Sequence, residues 1–283
     1  MMRILSATLL ATSSLLSAAS GEFQSAASEL SQKHSDAVVW ISVTAKVSMS
    51  ADGDVPDQLK AQLAGADRES TTETIGTFIS KDGLIVTALA ALDQSSMVDG
   101  QTVNTPMGAI KLNAQSEIKE IKVIMADGTE VPADMVLKDT DLGLGFIKLQ
   151  MDSEEAKGIQ ITAIDLTDSS EGKLLDDCVI LGRMDKSLQR EVSVLTTEIS
   201  GICTVPRRFY RLANDSIGSP VFLASGKLLG LSVIRKPVSE LSSETKLFPV
   251  ILPASDIQEL SGQAEQAPVI DGNTENKESG SSE

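Results

Sequence analysis

The chain has 283 residues, of which 41% are hydrophobic but only 3% aromatic, so it can bury a sizeable core built on Val, Ile, Leu and Ala. Its formal net charge is −16. A surface this acidic repels phosphate backbones and anionic headgroups, which argues against nucleic acid and membrane surfaces as partners.

Residues 1–21 read as a secretory signal peptide. Arg3 supplies the positive start, Ile4 to Leu16 a short apolar run, and Ser17 to Ser20 the small residues at which a signal peptidase cuts. The run is too short for ~30 Å of hydrocarbon, and no cysteine stands at the cleavage zone to carry a lipid. No later stretch is long and apolar enough to span a bilayer. The expectation is a secreted or periplasmic protein with no membrane insertion after cleavage.

Residues 22–36 predict a short leader helix, ended by Asp36. Ala37 to Thr44 is a β-branched run with the composition of a strand. Residues 50–72 are polar and read as an insertion, within which Pro56 to Leu63 has the pattern of two helical turns. Thr74–Ser80 and Leu84–Thr87 form a strand pair around the Asp82-Gly83 turn. Residues 93–118 read as a second insertion, a polar surface connection with a short hairpin. Ile121–Met125 and Glu130–Leu137 flank a second Asp-Gly turn, and Leu142–Leu149 is a further apolar strand. A first barrel thus occupies residues 37–150.

The second half, residues 151–261, carries strands at Cys178–Gly182, within Glu191–Val205, at Pro220–Leu223, Leu228–Ile234 and Phe248–Leu252. A closing helix over Asp256–Leu260 follows, with Ser255 as its N-cap. Residues 262–283 are polar and acidic, too poor in apolar groups to order themselves, and read as a disordered tail. Many short strands split by Gly- and Asp-rich turns indicate an all-β barrel or sandwich.

Four stretches in this order resemble the trypsin-fold serine proteases of the HtrA/Deg type. They are Gly76–Thr87 (GTFISKDGLIVT), Ala126–Lys148, Val179–Gly182 and Asp215–Gly230, with Phe248–Ile257 similar to the closing segment of that family. The resemblance spans about residues 37–260. It implies two packed six-stranded antiparallel β-barrels with a cleft between them. It also implies a serine nucleophile, a histidine base and an orienting aspartate, with backbone N–H groups for the oxyanion.

Carried onto this sequence, the histidine position falls three residues after Thr87, on Ala90. The aspartate position, counted back from Phe146-Ile147-Lys148, is Gly143. The serine position, counted back from Pro220, is Ile217. Asp215 and Ile217 stand at the oxyanion positions, and a carboxylate at 215 would repel the developing charge. The resemblance therefore implies a pseudoprotease. That family often carries a C-terminal PDZ domain, and this sequence shows none.

Residues left to restore chemistry are few. The chain's one histidine is His34, in the leader, read as a solvent-facing or cap residue. Ser216 lies one residue from the nucleophile position, where the turn directs its side chain elsewhere. Asp139 and Asp141 stand just upstream of the aspartate position and read as turn residues. Lys227 and Lys236 sit in polar turns, too solvated for a Ser-Lys dyad.

Cys178 and Cys203 either form one disulfide or stay as two buried thiols, and both readings stand. No CxxC, His/Cys cluster or phosphate loop is present, so neither a metal nor a cofactor is expected. Three functions follow. The first is a module that binds a protein or peptide. The others are a hydrolase using Ser216 with Asp139 or Asp141, and a structural subunit of an envelope complex.

Overall fold

A computed structural model describes residues 21–52, 55, 61, 63, 68–105, 108–235 and 248–270. The signal-peptide stretch and most of the Pro56–Leu63 helical pattern lie outside the described residues. So does the tail beyond residue 270.

The fold is two closed, six-stranded antiparallel β-barrels. The first contains β1 (Val38–Ala51), β2 (Arg68–Phe78), β3 (Leu84–Ala88), β5 (Gly108–Ile124), β6 (Glu130–Asp139) and β7 (Leu144–Leu149). Their order is β1-β2-β3-β7-β6-β5, and pairing of β1 with β5 closes it; a short β4 (Thr102–Thr105) hangs from β5. The second runs β10-β13-β12-β11-β8-β9. Its members are β8 (Asp177–Arg183), β9 (Val192–Cys203), β10 (Phe209–Leu212), β11 (Pro220–Leu223), β12 (Leu228–Arg235) and β13 (Phe248–Pro253). Closure gives each strand of both walls a partner on either side over at least part of its length, which limits edge-to-edge association.

Helical segments among the described residues accompany the strands. α1 covers residues 21–34, α2 Leu89–Leu92, α3 Ser95–Val98 and α4 Ala254–Gln266. α1 is the predicted leader helix, and its Ala27 and Leu30 are buried in the main core.

Packing explains why the barrels sit against each other. Cys178, Ile180, Ile199, Tyr210 and Val221 fill the second barrel. Alternate residues of the same strands, Val179, Leu181 and Phe222, point the other way and join the core of the first barrel. Arg183 links the two covalently distant halves. Its Nε donates to the Val38 carbonyl and a terminal nitrogen to the Ser35 carbonyl, each at 2.8 Å. The Trp40 indole N–H donates to the Met184 carbonyl at 3.1 Å. The connection between the barrels touches both, since Ile164 N–H donates to Phe78 O and Ser170 N–H to Leu228 O.

The structure departs from the sequence reading at several places. The 93–118 connection contains α3, β4 and the first half of β5, a strand of 17 residues. β1 likewise runs on to Ala51. These polar stretches are strands because β1 and β5 pair with each other out to Ala51↔Leu112. β10, a four-residue strand, has no counterpart in the sequence reading. Ser255 lies inside α4, and Pro253 takes the N-cap position without a side-chain hydrogen bond. α4 continues past Gly262 to Gln266 because Ala264 is buried against the core.

Candidate functional site

The cleft is built where β3 ends and the 214–219 turn of the second barrel arrives. Thr87, fully buried, donates its hydroxyl to the Ile75 carbonyl at 2.6 Å. Gly218 is seated on that pair. Its N–H donates to Ser232 O at 2.8 Å, and its carbonyl accepts from the Thr77 hydroxyl at 3.4 Å. A Cβ at 218 would lie 2.2 Å from Ile75 O and 3.0 Å from Thr87 Oγ1, and φ is +81°. Only glycine meets both demands.

Ile217, next in the turn, is half-buried and packs its aliphatic side chain against the main core. Ser216 turns away from it. The Ser219 hydroxyl donates to the Ser216 hydroxyl at 2.8 Å, and both lie 3.4 Å from where a Cβ on Gly182 would be. Ser216 is thus held over β8, in a serine pair with no base bonded to it among the described residues. Asp215 is exposed.

Ala90 lies on α2, directly after β3. The Leu89 N–H beside it donates to the Gly143 carbonyl at 2.8 Å, so residues 89–90 and 143 are neighbours. Gly143 has φ +70°, and a Cβ there would stand 2.9 Å from the Ile234 carbonyl of β12. The three positions counted from the sequence therefore lie on the stretch of chain where β3, β7 and β12 meet the 214–219 turn. The side chains they bring are a methyl group, a hydrogen and a sec-butyl group. None accepts or donates a proton.

The fallback carboxylates hold turns. Asp139 accepts from the Leu142 N–H at 2.7 Å, and Asp141 is exposed. Asp93, at the end of α2, accepts from the Ser95 hydroxyl and pairs with Lys138 at 3.4 Å. Lys227 is bound to Asp168 on the surface, and Lys236 lies outside the described residues.

His34 is not solvent-facing; it stands at the N-cap of the 3-10 turn Ser35–Ala37 but makes no side-chain cap hydrogen bond. It is 9% exposed, its ring stacks on Phe222 with centroids 4.9 Å apart, and its buried Nδ1 has no hydrogen-bond partner among the described residues. Burial, with help from the Lys33 ammonium, lowers its pKa from the ordinary value, and Asp168 opposes this. The cavity beside it, about 350 Å³, is lined by residues such as Lys33, Asp165, Asp168 and Leu228, and by none of the cleft positions.

The two cysteines are both free, so the disulfide reading is overturned. The buried-pair reading holds for Cys178 alone. Cys178 faces into the second barrel, where burial pushes its thiol up to about 12, whereas Cys203 is exposed at the end of β9. Among the described residues no three His, Cys, Asp or Glu side chains gather to hold a metal. No described helix is long and apolar enough to cross a membrane.

Residues 74–231, more than half of the chain, match the model of the trypsin-like peptidase domain. The chain belongs to the trypsin-like peptidase family. That match runs from within β2 into β12 and contains Thr87, Ala90, Gly143 and the 214–219 turn. Among solved structures the chain is similar to one titled "Crystal structure of Deg5", at 16% identity and a TM-score of 0.50. The likeness covers 83% of this chain and 92% of that one, and it is a likeness of fold. The comparison with curated proteins finds no match.

The sequence reading did not single out the seat made by Thr87, Ile75 and Gly218, or the serine pair at 216 and 219. Their signal was present in the Gly218-Ser219 pair just ahead of Pro220, small residues that permit a close backbone approach.

Proposed function

We propose that this trypsin-like peptidase chain is a pseudoprotease of the HtrA/Deg kind, which binds an extended peptide or protein segment and leaves it intact. Acyl transfer on this fold needs a base beside the nucleophile. The observation that carries the reading is the place of the chain's one imidazole, stacked on Phe222 and outside the cleft. Three further features support it. Ala90 offers no proton acceptor. Gly143 has neither a carboxylate nor room for one. Ile217 fills the nucleophile position with hydrocarbon. What remains is a cleft between two barrels, in which backbone groups can pair with a substrate-like strand while side-chain pockets select it.

The protein works outside the cytoplasm, after removal of residues 1–21. The acidic surface fits a protein ligand better than a phosphate-bearing one.

A fluorophosphonate probe tests the reading, since it labels only an activated serine. The expected result is no labelling and no hydrolysis of an internally quenched peptide library, with Ser216→Ala indistinguishable from the unaltered chain. Labelling that Ser216→Ala removes would make the protein a hydrolase and sink the proposal.

A further inference from the structure

A second groove lies on the first barrel, and none of its lining residues belongs to the cleft. It opens because β5 leaves β6. The two strands pair from Ile121↔Ala133 to Ile124↔Glu130 and no further. Beyond that point β5 follows β1, with a bulge that skips Lys119, so that Thr44 faces Glu120 and Ala45 faces Ile118. β6 continues alone beside β7 as far as Asp139.

The open side of β6 presents main-chain acceptors. Pro132 O accepts from Gln150 N–H on the side of the connection after β7. Carbonyls alternate along a strand, so Met135 O points to the opposite side, where β5 would have been. An acceptor placed so needs a donor.

The chain supplies one from its own C-terminal region. Past the end of α4, residues 267–270 run back across the first barrel, and Ile270 N–H donates to Met135 O at 2.8 Å. The Ile270 and Ala267 side chains pack against the main core, while Val269 remains 49% exposed. This is strand addition in miniature, with one main-chain bond and one aliphatic anchor.

The groove is larger than its occupant. A cavity of about 390 Å³ remains, lined by Ser116, Ile118, Ile121, Ala133 and Met135 with Val269 and Ile270 at its side. The buried Ser116 hydroxyl has no hydrogen-bond partner among the described residues. A polar group left so is costly unless a partner reaches it.

We propose that this groove is a peptide-binding site separate from the inter-barrel cleft. Residues 268–270 hold it in cis, and the ligand that displaces them is an extended protein segment of the same chemistry. Such a segment carries an aliphatic residue whose own N–H bonds Met135 O, a second aliphatic residue before it, and a hydrogen-bonding group for Ser116. The proposal does not depend on whether the cleft is catalytic.

The test uses the full chain with Ile270→Asp, in which a carboxylate cannot stay against the core. The probe is a fluorescein-labelled peptide of sequence Ala-Pro-Val-Ile-Asp-Gly, read by fluorescence polarisation. Ile270→Pro, which removes the donor N–H together with the branched side chain but adds no charge, serves as a second variant should the first fold poorly. Either variant is expected to bind the peptide saturably and roughly tenfold or more tightly than the unaltered chain does. N-methylation of the peptide's isoleucine, which removes the donor, should then weaken binding by a few-fold to about tenfold. Equal binding by variant and unaltered chain overturns the proposal, as does no saturable binding by variants whose circular dichroism is unchanged. Self-association of the variants in place of peptide binding also overturns it, and assigns the groove to a second copy of the chain.

Discussion

Replacing Gly218 by alanine tests whether the second barrel is seated on the first through the 214–219 turn. Two costs arise from the structure. A left-handed φ of +81° costs an L residue about 1–2 kcal/mol. The new Cβ would also stand 2.2 Å from the Ile75 carbonyl, where ordinary contact begins at 3.4 Å. The turn must therefore back away by about 1 Å. That strains packing by about 1–3 kcal/mol, and loss of the bond from Thr77 adds about 1 kcal/mol. The sum is about 3–6 kcal/mol. Gly226 gives the control, because its φ is +88° and nothing lies within 4 Å of a Cβ there. Gly226→Ala should cost only the backbone term, about 1–2 kcal/mol. Urea unfolding of both variants isolates the seat as the difference, about 2–4 kcal/mol, or roughly 5–15 °C in a thermal melt of a chain this size. If the two variants fall within about 1 kcal/mol of each other, the turn is not held as described.

Three other outcomes are expected. Arg183→Ala removes both donors to Ser35 and Val38 from a side chain only 8% exposed and leaves their carbonyls unpaired, so urea unfolding should show a loss of about 2–4 kcal/mol, with Arg183→Lys recovering only part. His34 is buried with its pKa lowered, so the unfolded chain takes up its proton first as pH falls. Its contribution is intact above about pH 6.5 and is lost below it, and the unaltered chain should lose more stability between pH 7.5 and 5.5 than His34→Leu does; parallel profiles would refute this. A thiol reagent at pH 8 should titrate one cysteine in the native chain, Cys203, and both in denaturant, because Cys178 is fully buried and its thiol is pushed up to about 12.

The hairpins were legible because Asp82-Gly83 and Asp127-Gly128 declare a turn and the flanking residues are β-branched. The cleft positions were legible through the resemblance to the HtrA/Deg type, which places them three residues after Thr87, three before Phe146 and three before Pro220. Other features depend on contacts distant in sequence. Gly143 reads as a missing carboxylate, but what confines it is the Ile234 carbonyl from the other barrel. The first half of β5 carries Lys111, Asn113, Gln115 and Glu117, a polar string that becomes a strand only because β1 extends beside it. β10 has four residues between Pro206-Arg207-Arg208 and Asn214, too few to show a period of two. His34 looked like a surface residue because its burial comes from Phe222, on a strand of the second barrel.

The sharing of one apolar interior by strands of both halves has a thermodynamic consequence. Val179, Leu181 and Phe222 would face water if the first half melted alone, and Val39 and Ile41 would lose neighbours if the second did. Neither half is a separable domain, so calorimetry should record a single cooperative transition, and cutting the gene between residues 150 and 177 should yield two fragments that aggregate unless expressed together.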